Sequence, residues 1–245
     1  MSLFRSTNIS CPNCGKTVNM QGVGSVNADR RPDYRDDILQ SKFQDETCPD
    51  CQTSFRLAPE FNYLDVGRGQ WIAAMPANRL RDWIEVEDAV KESFAISYGV
   101  KAPQAARDVG GDLAVRLTFG WPALREKILA NDRGIDDAVL ETLKLEMIRR
   151  IPSAPFAEGI ELRLVDTSEE ALNFVWIDAA TEEVLETLQV RRTLLEAILE
   201  NAEGWKSIRD QLTDGPFVDI QKLFMGQGRT PAAAATTGEP AAPAA

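Results

Sequence analysis

The sequence predicts an α+β fold, and three observations carry that prediction. Two C-P-x-C tetrapeptides, at residues 11–14 and 48–51, sit among short apolar segments that read as strands. Residues 76–151 instead place apolar side chains at helical spacing. Beyond residue 160 alternating strand patterns return and are followed by further helices. The expected architecture is a cysteine-bearing N-terminal sheet with an inserted helix, a helical middle and a small α+β C-terminal part.

The elements follow in order. Ile9 leads into the first cysteine pair, and residues 16–26 read as extended. Pro32 can open a short helix over residues 32–43, with Ile38, Leu39 and Phe43 as its apolar contacts. Residues 61–66 and 70–75 flank Gly67-Arg68-Gly69 and read as a hairpin. Val86, Val90 and Phe94 form a helical stripe; residues 101–111, with Pro103 and a glycine pair, read as a loop. Residues 115–119 alternate as a strand, and Pro122 opens a helix that suits an end at Gly134. Asp136 or Asp137 caps the next helix, which places Val139, Leu140, Leu143 and Met147 on one face and stops at Pro152. After a linker at 153–159, residues 160–165, 172–177 and 184–190 read as strands. Leu194, Leu195, Ile198 and Leu199 mark a helix, residues 205–212 another, and 215–225 a closing apolar segment. The domain reading is 7–151 (a ribbon-like part to 75, a helical part from 76), then 160–225. The Ala/Pro-rich tail at 226–245 cannot bury enough apolar surface to offset ordering and is expected to be disordered.

Cys11, Cys14, Cys48 and Cys51 are the strongest chemical signal. A two-residue gap turns both sulfurs of a pair toward one point, and two pairs can complete the tetrahedron of a structural zinc site. Pro12 and Pro49 restrict the two turns, and Gly15 permits the backbone the first needs. Gln52 stands where Gly15 stands, so the two turns are expected to be non-equivalent. Residues 15–47 between the pairs exceed ordinary ribbon spacing, which suggests a zinc-ribbon-like sheet with an inserted helix. Iron fits the same ligand set, and free thiols or a redox pair are the competing readings.

The formal net charge of −11 lacks the basic footprint of a nucleic-acid binder. No segment is apolar and long enough to span a bilayer, and no secretory leader is evident, so a reducing cytoplasm is expected, where paired cysteines favour metal over disulfide. The absence of histidine excludes Ser-His-Asp and Cys-His catalysis. Arg30, Arg31 and Arg35 read as a solvated face among interleaved aspartates, Asp36-Asp37 and Asp136-Asp137 as non-catalytic, and the five tryptophans as core. Short glycine pairs at 22–24 and 67–69 lack the setting of a phosphate loop.

With ISCPNCG, CPDC, the hairpin and FGWPALREKILANDRGIDDAVLETLKLEM in that order, residues 9–150 resemble the CpXC domain, a prokaryotic family named for its two C-P-x-C motifs. The resemblance implies metal ligation by Cys11, Cys14, Cys48 and Cys51 and no catalytic residue. The closing DGPFVDIQKLFM resembles extensions that follow that domain. The leading expectation is a zinc-stabilised, non-enzymatic interaction or adaptor protein whose partner is another protein. A nucleic-acid-associated ribbon factor, or a carboxylate- or lysine-based enzyme, are the alternatives.

Overall fold

Two sheets are joined through one buried helix. The computed structural model describes residues 3–151, 154, 155 and 157–225. The first sheet has five strands: β1 (Leu3–Ser10), β2 (Thr17–Asn27), β5 (Phe61–Asp65), β6 (Gln70–Met75) and β7 (Ala114–Phe119), in that order. β1 and β2 pair antiparallel, β2 and β5 parallel, β5 and β6 antiparallel, β6 and β7 parallel. The expected hairpin around Gly67-Arg68-Gly69 is present, Gly69 taking the left-handed φ of +64° that closes it. β7 therefore completes a sheet that begins at the N-terminus, although it comes from the otherwise helical middle.

Between β2 and β5 lie α1 (Pro32–Leu39) and the small hairpin β3 (Asp45–Thr47) and β4 (Ser54–Arg56). α1 opens at Pro32 as expected but ends at Leu39 rather than Phe43, and Ser41 follows at φ +60°. Ile38 and Phe43 are buried, and Phe43 packs in an aromatic group with Tyr34, Phe61 and Trp121.

A 3₁₀ turn (Ala77–Asp82) leads into α2 (Trp83–Ser97), which covers one face of the first sheet through Trp83, Val86 and Val90. The segment expected as a loop at 101–111 instead contains α3 (Gln104–Gly110). Pro103, at φ −57°, sits just before the helix and preorganises its start rather than preventing it. α4 (Gly120–Asp132) begins two residues before the expected Pro122. Its Trp121, Leu124 and Ile128 pack on the first sheet, while Leu129 and Ala130 belong to the core of the second.

Asp136 caps α5 (Asp137–Arg150), its carboxylate accepting from Val139 N. The apolar stripe predicted for α5 is buried, but so are Ala138, Glu141, Thr142 and Lys144. The helix is enclosed nearly all round, not amphipathic. The second sheet is the antiparallel meander β8 (Ile160–Thr167), β9 (Ala171–Asp178) and β10 (Val184–Arg191). Leu162, Leu164, Leu172, Phe174 and Trp176 share one core with α5 and α6 (Arg192–Glu200). Within α6 Leu195 and Ile198 are buried, but Leu199 faces solvent. α7 (Lys206–Leu212) and α8 (Gln221–Met225) flank a closing segment whose Phe217, Val218 and Ile220 are buried. Pro152, part of the linker at 153–159 and the whole tail at 226–245 lie outside the described residues.

Four of the five tryptophans are core as expected, and Trp205 is partly buried against the same core as α5. Arg35 corrects the expectation of a solvated arginine face. It is 8% exposed and pairs with Asp132 and, at 3.6 Å, with Asp65.

Candidate metal centre

The first cysteine pair is carried by the loop between β1 and β2, closed by Ser10 opposite Thr17. The second is carried by the loop between β3 and β4, closed by Thr47 opposite Ser54. The two loops are held by the same backbone bonds. Cys11 N donates to Lys16 O and Gly15 N to Cys11 O, both at 2.9 Å; Cys48 N donates to Thr53 O and Gln52 N to Cys48 O, also at 2.9 Å. Gly15 has φ +71° and Gln52 φ +59°. The two turns are thus equivalent in backbone, correcting the expectation drawn from Gln52. A glutamine is driven into the left-handed region because the hydrogen-bonded turn requires it, and its amide donates to Pro49 O at 3.0 Å.

The four Sγ atoms all lie within 4.8 Å of one another. Cys11 Sγ and Cys51 Sγ are 3.7 Å apart, and Cys14 Sγ and Cys48 Sγ 3.8 Å. These separations far exceed the ~2.05 Å of a disulfide. They match the ~3.8 Å edge of a regular tetrahedron with metal–sulfur bonds of about 2.3 Å. The ligand pairs come from different loops, so an ion held there would tie α1's insertion at both ends. Asn13 Nδ2 donates to Cys51 Sγ at 3.5 Å and to Thr53 Oγ1 at 2.9 Å, and Lys16 pairs with Asp50 at 2.8 Å, so the loops also bind each other directly.

The thiols differ in acidity. The Thr53 side chain, then Asn13 and the Thr53 backbone N–H, hold the Cys51 thiol down at about 5. Cys14 is favoured as thiolate by the Lys16 backbone, yet desolvation and the neighbouring thiols of Cys11, Cys51 and Cys48 push it up to about 12. Metal ligation needs sulfur as thiolate, and four thiolates crowded together repel one another unless a cation lies among them. That is the electrostatic condition a divalent ion satisfies. Cys11 and Cys48 are buried against Val18, Met20 and Leu57, while Cys14 is exposed.

A second charged constellation escaped the sequence reading. Glu126, Glu141 and Lys144 are fully buried in the paired helices α4 and α5. Lys144 Nζ donates to Glu126 Oε1 at 2.5 Å and to Glu141 Oε1 at 2.9 Å. Arg163 on β8 binds Glu126, Glu161 and Asp219. The closing segment is threaded into this network: Ile220 N donates to Glu141 Oε2, Phe217 N to Glu87 Oε1, and Lys127 Nζ donates to Val218 O. Asp137 pairs with Lys127 and Arg116; burial pushes its carboxyl up, but these cations override that and hold it below the usual carboxylate range. The available signal was the placement of Glu141 and Lys144 between apolar positions of α5, which implies buried charge once every face of the helix is covered.

These features define an α+β protein whose two backbone-matched hairpin loops present four thiols suited to one metal ion. The sequence model of the CpXC family, described as CpXC protein, matches residues 9–144, more than half of the chain. The chain belongs to the CpXC family. No curated protein and no solved structure matches it.

Proposed function

We propose that the chain is a non-enzymatic interaction protein of the reducing cytoplasm, stabilised by one structural zinc ion on Cys11, Cys14, Cys48 and Cys51. The observation that carries the reading is the thiol tetrad, with its 3.7 and 3.8 Å separations across two matched loops. Four protein sulfurs leave no open coordination position, which suits a structural rather than a catalytic ion. The zinc-ribbon likeness rests on the same pair of hairpin loops. The partner is another protein rather than nucleic acid: the chain is acidic, and β1 exposes Leu3 and Phe4.

The reading is tested by metal analysis of the purified chain together with Cys14→Ser and Cys48→Ser variants. One zinc per chain, lost in both variants, supports it. Stoichiometric iron overturns the zinc assignment, and full metal retention in both variants overturns the four-cysteine site.

A further inference from the structure

Among the described residues, the two larger sheets end in β1, β7, β8 and β10. Three of these edges are closed or guarded. On β7, Leu117 N donates to Pro216 O of the closing segment at 2.9 Å. β8 lies against α4, and its Leu164 N donates to Glu126 Oε2. β10 exposes Glu186 and Arg191, charges that oppose the docking of another strand.

β1 is different. Its eight residues pair with β2 on one side, and among the described residues no strand lies on the other. The bond from Cys11 N to Lys16 O fixes the alternation of the ladder. Counting back by two, Arg5, Thr7 and Ile9 turn their backbone groups toward β2, and Phe4, Ser6 and Asn8 turn theirs outward. Gln44 marks the same phase from the far side of β2: its side-chain amide bridges Val23 N and Gln21 O, the residues opposite Phe4 and Ser6. The edge is also preformed. Phe4 packs edge-on against Tyr34 of α1, and Ser6, Asn19 and Asn8 form a side-chain ladder across β1 and β2.

Charge sets this edge apart as well. Residues 1–28 contain no Asp or Glu, so all 38 acidic residues of the chain follow them. The one charged side chain of β1, Arg5, lies over Gly24, and its Nη2 donates to Glu60 O. Two copies of an acidic chain repel one another least where these acid-free ribbons meet.

We propose that β1 pairs antiparallel with β1 of a second copy, joining two five-stranded sheets into one. A two-fold axis normal to the sheet brings outward-facing residues opposite outward-facing residues. With the axis at Ser6, Ser6 faces its own copy, Phe4 faces Asn8, Arg5 faces Thr7 and Leu3 faces Ile9. No charge meets a like charge, an apolar pair closes each end, and about six backbone hydrogen bonds form. The inference rests on the reading of the chain as an interaction protein, names its partner, and is independent of the metal's identity.

Sedimentation velocity of the full chain from about 1 to 100 μM tests it. A concentration-dependent monomer–dimer equilibrium is expected. Ser6→Lys sets two cations against each other on the axis, and Asn8→Pro removes an outward N–H without touching a backbone bond to β2. Each should weaken the dimer at least about tenfold while metal content and circular dichroism match the parent. Leu185→Lys, on the β10 edge, should leave the dimer unchanged. A monomer at every concentration overturns the pairing, and if it still holds one zinc per chain the reading of the metal centre stands. A dimer that persists in either β1 variant, or one lost in Leu185→Lys, overturns it as well.

Discussion

At the scale of single residues, the two left-handed positions after the cysteine pairs make the sharpest comparison. Gly15 and Gln52 occupy matching turns, yet only glycine is at ease there. A Cβ on Gly15 meets nothing within 4 Å, so Gly15→Ala should cost only the conformational strain, about 1 kcal/mol. Gln52→Gly removes the reverse strain but also the bond to Pro49 O, so a net gain of about 0.5 kcal/mol is expected. Chemical denaturation of the two variants under metal-saturated conditions should give opposite signs; the same sign for both would show that the turns are not energetically equivalent. Buried Arg35 belongs at this scale too. Its neighbours Asp33, Asp36 and Asp37 suggested a wet surface, but besides Asp36 at 3.9 Å its partners are Asp65 and Asp132, remote in sequence.

At the scale of elements, the closing segment behaves as a strap held by charge. Its backbone meets Glu87, Lys127 and Glu141, and Asp219 meets Arg163, so it connects α2, α4, α5 and β8. Removing one partner of a buried pair leaves an uncompensated charge, so Asp219→Ala should destabilise the protein by about 3–5 kcal/mol. Replacing exposed Asp210, which pairs with Lys206 on the surface of α7, should change stability by less than ~1 kcal/mol. Urea unfolding of both variants measures the contrast, and a similar small loss in each would mean that the strap is not anchored by its charge.

The same network shapes the pH response. Burial raises Glu141 to about 7, with Asp219 and Glu126 adding to the rise, while Lys144 and Lys127 oppose it. Arg163 also faces this cluster from β8. The folded chain therefore retains a proton at Glu141 that the unfolded chain releases at its ordinary carboxylate value. Between roughly pH 4.5 and 7 the contribution of this group to stability falls as pH rises, and below that window it is fully present. Asp219 acts oppositely: burial alone would raise it, but Arg163 and Lys144 hold it down at about 2, so its contribution is lost only in strong acid. Glu141→Gln should flatten the stability profile between pH 5 and 7 relative to the parent; an unchanged slope would assign the pH dependence elsewhere.

At the scale of the whole molecule, the cysteine loops are held differently from the second core. Among the described residues, the apolar cluster around the cysteine loops is small, Val18, Met20 and Leu57 with a few partly buried neighbours, whereas α5, β8 and β9 share a large apolar core. Loss of metal should therefore release the loops first. After chelation, amide exchange is expected to accelerate across residues 9–57 while protection persists in α5 and β9. Uniform loss of protection would show that the ion stabilises the whole chain.

Much of this protein was legible in local sequence. The two cysteine turns, the hairpin at Gly67–Gly69, the Asp136 cap and the three-stranded meander all rest on contacts or backbone demands among residues close along the chain. The two C-P-x-C motifs also announced their own convergence, because a thiol pair alone cannot complete a tetrahedron. Tertiary structure alone decided the parallel pairing of β2 with β5 and of β6 with β7, and the burial of Glu126, Glu141, Lys144 and Arg163. The physical reason is range. Turn and capping preferences act over a few residues, but a charge can be buried only where opposite charges and backbone donors from distant elements meet it, and no single segment of the sequence contains that meeting.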